Sequence, residues 1–158
     1  MILIALGANL PSEAGPPDAT LAAALGSLQK SQVEIRAVSS FYCSPAWPDP
    51  SDPPFVNAVA AVTTALPPDA LLARLHDIEA AFGRHRSAKN APRTLDLDLL
   101  DYDGRVEAGP PLLPHPRIAE RDFVLRPLAE IAPDWRHPVL GLTAGELLSR
   151  LADGGAKD

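Results

Sequence analysis

The 158-residue chain is short of several features that would have fixed its class at once. It has one cysteine, Cys43, so no intrachain disulfide can staple it, which fits a reducing compartment. Long apolar runs are missing. The first, Ile2 to Leu6, falls far short of the ~20 residues a membrane span needs and has no basic residues ahead of it, so a cytoplasmic protein without membrane contact is expected. Aromatic residues are scarce: two Trp, two Tyr and four Phe. Basic residues are outnumbered, with 14 Lys plus Arg against 20 Asp plus Glu and a net charge of -6. Affinity for duplex nucleic acid comes from many phosphate contacts at once, so an acidic chain is not expected to take nucleic acid as a partner. Neither G-x-x-x-x-G-K-[ST] nor G-x-G-x-x-G occurs, and the protein-kinase motif set is absent. Any nucleotide must therefore be held by side chains and metal rather than by a glycine-rich loop.

What is present begins with a sufficient core. A hydrophobic fraction of 46% with 22% charged residues suits one packed domain over residues 1 to 158 and argues against disorder along the whole chain. The charge is unevenly spread. Residues 1 to 83 hold 3 bases and 8 acids, residues 84 to 126 hold 8 and 7, and residues 127 to 158 hold 3 and 5. Seven of the 11 Arg lie in the middle segment, and Arg84, Arg86, Lys89 and Arg93 fall in a ten-residue stretch with no acid. Such a stretch repels itself unless it is solvated or meets an anion.

Ile2 to Leu6, closed by Gly7-Ala8-Asn9, reads as a buried strand ending in a turn. Leu21, Ala24, Leu25 and Leu28 recur at helical spacing, predicting an amphipathic helix over residues 18 to 30. Val33 to Tyr42 alternates as a half-buried strand, and residues 43 to 54, with five Pro and two Asp, form a loop. Phe55 to Thr64 is a second long strand, able to pair antiparallel with the first. Pro67 and Pro68 open a helix carrying Leu71, Leu72, Leu75, Ile78 and Glu79 up to Gly83. Thr94 to Leu100 alternates as a strand. A turn at Asp103-Gly104, an apolar stretch from Phe123 to Leu128 and a last helix over Thr143 to Leu151 follow. The order β-α-β-β-α-β is that of an α+β, ferredoxin-like split βαβ sandwich, an antiparallel sheet with helices on one face and a C-terminal extension.

The sharpest chemical feature is Asp96 and Asp98. In a strand, residues i and i+2 leave the same face roughly 6.5 to 7 Å apart, so both carboxylates meet one space while Leu95, Leu97 and Leu99 point the other way. Taken alone, a D-x-D is most often a solvated surface pair. Here Arg84, Arg86 and Arg93 precede it, placing phosphate clamps and a hard-cation site within about fifteen residues. Two Mg²⁺ ions in phosphoryl-transfer sites lie ~3.5 to 4 Å apart, a spacing that two same-face Asp can bridge. Asn57 is the second oddity. It sits mid-strand among apolar residues, where a buried amide without partners costs ~1 to 3 kcal/mol.

Several motifs, in order, resemble one family: Gly7-Ala8-Asn9, Ser39-Ser40-Phe41-Tyr42-Cys43-Ser44-Pro45, Phe55-Val56-Asn57-Ala58, Ile78-Glu79 with Gly83-Arg84-His85-Arg86, Pro92-Arg93-Thr94-Leu95-Asp96-Leu97-Asp98, Pro114-His115-Pro116-Arg117 and Arg121-Asp122-Phe123-Val124-Leu125-Arg126-Pro127-Leu128. Across nearly the whole chain they resemble the 6-hydroxymethyl-7,8-dihydropterin pyrophosphokinases of folate biosynthesis. The resemblance implies transfer of the β,γ-pyrophosphoryl group of ATP to the pterin hydroxymethyl oxygen, with release of AMP. It implies that Asp96 and Asp98 hold two Mg²⁺ ions with ATP, and that Arg84 and Arg93 stabilise charge on the moving group once the basic loop closes. It places His76, Glu79, Arg86, Arg93, Leu99, His115 and Arg121 at nucleotide-contacting positions. For the pterin it implies a stack between Phe55 and Phe123, an edge read by Asn57, a pocket lined by Ser44, Pro45 and Trp47, and a contact from Asp96. Ser44 stands where Thr is usual in the family, and Phe55 where Tyr is often found. The expected partners are ATP and the dihydropterin alone, bound by a monomer.

Two rivals make different predictions. A ferredoxin-like pterin- or nucleotide-binding domain that keeps the fold without catalysis would be expected to have lost Asp96, Asp98 or Arg93, and all three are present. A metal-dependent phosphohydrolase using the carboxylate pair would leave Asn57 unexplained.

Overall fold

The computed structural model describes residues 1–12, 14–44, 54–83 and 95–154. Strand β1 (Ile2–Ala8) is buried along its entire length and forms the spine of an antiparallel sheet. Its continuous apolar run suits a strand covered on both faces. Helix α1 (Pro17–Lys30) follows, then β2 (Val33–Val38), β3 (Tyr42–Ser44) and β4 (Phe55–Thr64). Helix α2 (Pro68–Ala81) leads to β5 (Asp96–Tyr102). The sheet order is β2-β4-β1-β5, with β3 also paired to β4. Both α1 and α2 begin on a proline, at the position where a missing N–H leaves nothing unsatisfied.

This is the expected ferredoxin-like arrangement, with three differences. The strand expected over Val33 to Tyr42 is broken. The chain bends at Ser39–Phe41, so β2 pairs with one half of β4 and β3 with the other, and Cys43 and Ser44 belong to β3 rather than to the loop. Ser39 spans the break: its N–H donates to the Val59 carbonyl at 2.9 Å, and its hydroxyl accepts from the Val59 N–H at 3.0 Å. Secondly, β1 does not turn at Gly7 but runs through Ala8. Thirdly, helices lie on both faces of the sheet. The helices α1 and α2 cover Ile2, Ile4, Leu6, Ala58, Ala60, Val62, Leu97 and Leu99. On the opposite face, the C-terminal extension packs α3 (Asp122–Ile131) and α4 (Ala144–Gly154) against Leu3, Ala5, Val59, Ala61 and Leu100. The apolar stretch around Phe123 is thus helical, and a short hairpin of β6 (Glu107–Ala108) and β7 (Leu112–Leu113) precedes it.

The alternation of β5 is interrupted once. Leu99 pairs with Ile4 and Asp101 with Leu3, leaving Leu100 as the extra residue of a bulge. Asp101 therefore shares the α3/α4 face with Leu100. It is buried, and it accepts from the Trp135 indole N–H at 2.7 Å and the Gly104 N–H at 2.9 Å. Helix α4 begins at a capping box, in which the Glu146 carboxylate accepts from the Thr143 N–H and the Glu146 N–H donates to the Thr143 hydroxyl.

Candidate active site

Helices α3 and α4 cover only part of their face of the sheet. Past Ala5 on β1, Val59 on β4 and Leu100 on β5, the side chains of that face turn polar or aromatic: Gly7, then Asn57 and Phe55, then Asp98 and Asp96. Pair register brings them together. Gly7 lies opposite Asn57 on one side and Asp96 on the other, and Ala5 lies opposite Val59 and Asp98. Asp96 and Asp98 are both partly exposed, while Leu95, Leu97 and Leu99 are buried beneath them against the α1/α2 layer. The one-face, two-carboxylate arrangement expected of a period-2 strand is the one observed.

Gly7 forms the floor. A Cβ at this position would come within 3.3 Å of Asn57 Oδ1 and 3.9 Å of the Phe55 ring. The absent side chain leaves the space between amide and carboxylate open. Asn57 is 5% exposed, and its Nδ2 donates to the Ser44 hydroxyl at 2.7 Å, so the mid-strand amide is satisfied by a neighbour from β3.

Arg121 and Phe123 enter from the start of α3. The Arg121 guanidinium stands 3.6 Å from Asp98 Oδ2 and 5.6 Å from the centre of the Phe123 ring, linking the carboxylate pair to the aromatic wall. His115 approaches from the segment after β7, anchored by its N–H to the Leu100 carbonyl at 2.8 Å. Burial is the main cause pushing its imidazole pKa down to about 4, Arg121 and Arg117 push the same way, and Asp96 opposes them. The ring is neutral near pH 7. Its Nδ1 accepts from the Arg117 N–H at 3.2 Å, which places the ring proton on Nε2. His115 thus offers a single N–H donor beside the carboxylates.

The other expected residues divide. Glu79 is buried, and its Oε2 accepts from the Leu97 N–H at 2.8 Å, tying α2 to the outer edge of β5. Leu99 is 4% exposed in the α1/α2 core, so its side chain lies on the opposite face from the carboxylates. His76 is exposed on α2, one turn before Glu79. Pro45, Trp47, Arg84, Arg86 and Arg93 lie outside the described residues. Gly7 went unrecognised as a site residue because a glycine after an apolar run reads as a turn; only the register shows that it faces Asn57 and Asp96.

Asp96 and Asp98 are hard oxygen donors of the kind Mg²⁺ takes. Among the described residues no cluster of three or more Asp, Glu, His or Cys could hold a metal. The donor set fits an ion that completes its shell with water and phosphate oxygens, not one caged by protein.

Comparison with known proteins follows the same lines. Residues 3–133 match the family model of 7,8-dihydro-6-hydroxymethylpterin-pyrophosphokinase (HPPK). A 2-amino-4-hydroxy-6-hydroxymethyldihydropteridine pyrophosphokinase of Synechocystis is 40% identical over 151 residues, covering 94% of this chain and 75% of that protein. The enzyme of the same name from Methylorubrum extorquens is 40% identical over 154 residues, covering 96% and 94%. A crystal structure of a triple mutant of Plasmodium falciparum HPPK-DHPS superposes with a TM-score of 0.69 at 13% identity, over 97% of this chain and 44% of that one, which is a likeness of fold.

Proposed function

Because this chain belongs to the 7,8-dihydro-6-hydroxymethylpterin-pyrophosphokinase family, we infer that the open end of the α3/α4 face, with Asp96 and Asp98 at its centre, is where its chemistry takes place. The protein transfers the β,γ-pyrophosphoryl group of ATP to the hydroxymethyl group of 6-hydroxymethyl-7,8-dihydropterin and releases AMP, a step of folate biosynthesis. The observation that carries the site is the juxtaposition across Gly7: a carboxylate pair on β5 and an amide with an aromatic ring on β4, with only β1 between them.

In the reaction the hydroxymethyl oxygen bonds to the β-phosphorus, the bond from that phosphorus to the α,β-bridging oxygen breaks, AMP leaves with the electron pair and the hydroxyl proton passes to solvent water. Asp96 and Asp98 would hold two Mg²⁺ ions, which when bound neutralise and orient the triphosphate. Arg121, next to Asp98, supplies a fixed positive charge on the nucleotide side. The neutral His115 donates from Nε2 to a phosphate oxygen without adding charge. Phe123 and Phe55 provide faces for the flat pterin, and Asn57 with Ser44 provides the hydrogen-bonding edge, since the Asn57 Oδ1 remains directed over Gly7. Arg84 and Arg93 stabilise the transferred group in this reading, with Pro45 and Trp47 closing the pterin pocket.

The test is an incubation of the protein with Mg²⁺, ATP and 6-hydroxymethyl-7,8-dihydropterin, followed for AMP. AMP that appears only with the pterin is the expected result. Phosphate or ADP released without pterin would point to a phosphohydrolase, and pterin binding with no turnover to a binding domain.

A further inference from the structure

The two walls of the pterin subsite come from distant parts of the chain. One is built by β3 and β4, with Ser44 opposite Phe55 and Tyr42 opposite Asn57. The other is Phe123, on the first turn of α3. Strand pairing fixes the first wall internally but says nothing of its distance from the second. Two turns along α3 from Phe123, the Glu130 carboxylate reaches the bend between β2 and β3. Its Oε2 accepts from the Ser40 N–H at 2.9 Å and the Ser40 hydroxyl at 3.1 Å, and its Oε1 accepts from the Tyr42 hydroxyl at 2.6 Å. These contacts join residues 88 and 90 positions apart in sequence, and they lie at the surface, where burial of apolar area contributes little. Their chemistry is consistent throughout. The Tyr42 bond, followed by the Ser40 amide, holds the Glu130 carboxyl below its ordinary range, and the same bond raises the Tyr42 phenol, so acceptor stays charged and donor stays protonated.

We propose that Glu130 is a positioning residue for the pterin subsite: by anchoring Ser40 and Tyr42 it holds β3 against α3 and so sets the gap between the Asn57 edge and the Phe123 face. The proposal rests on the assignment of the pterin to that face. The Glu130 contacts run from α3 to the bend beside β3, on the Asn57 side of the site and away from the β5 carboxylates, so their loss acts on pterin and spares nucleotide.

Steady-state kinetics of AMP formation in the full chain, with pterin and ATP varied separately, tests this for Glu130→Ala, Glu130→Gln, Tyr42→Phe and, as a reference, Asn57→Ala. Glu130→Ala raises the pterin KM about tenfold and Tyr42→Phe about threefold, the scale of losing a charge-assisted network and one of its bonds. Glu130→Gln, which keeps one carbonyl acceptor, falls between them, and the ATP KM stays within about twofold in all three. A pterin KM unchanged in Tyr42→Phe and in folded Glu130→Ala overturns the proposal, as does a parallel rise in both KM values, the mark of general loosening. Asn57→Ala separates the two levels of argument. If it raises the pterin KM while the Glu130 variants do not, only the role of Glu130 fails; if it too is silent, the pterin assignment fails with it.

Discussion

The two ends of the α3/α4 face are made by the same three strands and do opposite work. At the sealed end Leu3, Ala5, Val59, Ala61 and Leu100 lie under α3 and α4, with Leu125, Leu128 and Trp135 packed onto them. At the open end, within two to four residues along each strand, the positions of the same parity become Gly7, Asn57, Phe55, Asp98 and Asp96. The face toward α1 and α2 shows no such change: it is apolar from Ile2 to Ala8 on β1 and from Ala58 to Val62 on β4. A strand can thus hold its register through one uniformly apolar face while the other switches, partway along, from apolar packing to polar and aromatic groups. A core on the first side stops a slip that would turn Asp96 and Asp98 inward.

The largest effects at the open end leave stability alone. Asp96→Ala and Asp98→Ala should each lower kcat by about a thousandfold or more, as loss of a metal ligand does, while the melting temperature moves little because both side chains are partly exposed. A near-normal rate for either at saturating Mg²⁺ would remove the metal role. The converse holds at the sealed end. Trp135→Phe takes one donor from the buried Asp101 carboxylate and should cost about 1 to 3 kcal/mol in denaturant unfolding, with KM for both substrates unchanged.

Smaller changes probe the boundary. Gly7→Ala puts a methyl group 3.3 Å from Asn57 Oδ1 and should raise the pterin KM by about five- to tenfold with little change for ATP. An equal effect on both substrates would mean that Gly7 serves the strand and not the subsite. The smallest effect is on pH. His115 titrates in the folded chain near about 4, below its ordinary 6.5, so the unfolded chain binds the extra proton first. Stability of the metal-free protein should therefore be flat in this group above pH about 6.5 and decline between about 6.5 and about 4. Unfolding midpoints across that window should fall more steeply in the wild type than in His115→Gln.

The sequence made most of this legible where period and environment agree. β1, β4 and β5 were readable because each carries an unbroken apolar set on the α1/α2 side, and α1 and α2 because their Leu residues repeat at helical spacing behind a proline. The carboxylate pair followed from the same period-2 argument. The break between β2 and β3 was not legible, since Val33 to Tyr42 contains no breaker and the bend is held by Ser39 and by Glu130 from 90 residues away. The segment of α3 reads from sequence only as an apolar stretch, because Pro127 within it removes an N–H and weakens a local helical signal that packing on β4 restores. The Glu79 carboxylate meets the Leu97 N–H at the β5 edge, and the Leu99 side chain lies in the core. Neither fact is written in residue type: the first follows from how α2 packs along β5, the second from which side of β5 the position occupies.

That last point reaches furthest at the Leu100 bulge. Asp96, Asp98 and Asp101 are identical side chains on a seven-residue strand, yet two lie partly exposed at the open end and one is a sealed strut bonded to Trp135 and Gly104. What distributes them is counting. By strict alternation Asp101 would fall among the leucines beneath α2, and the one inserted residue resets the count so that it does not. Deleting Leu100 would make the pairing regular and leave Asp101 on the same face, at the cost of a buried leucine under α3 and α4. The bulge thus lets two successive residues, an apolar one that packs and a charged one that braces, face the same pair of helices.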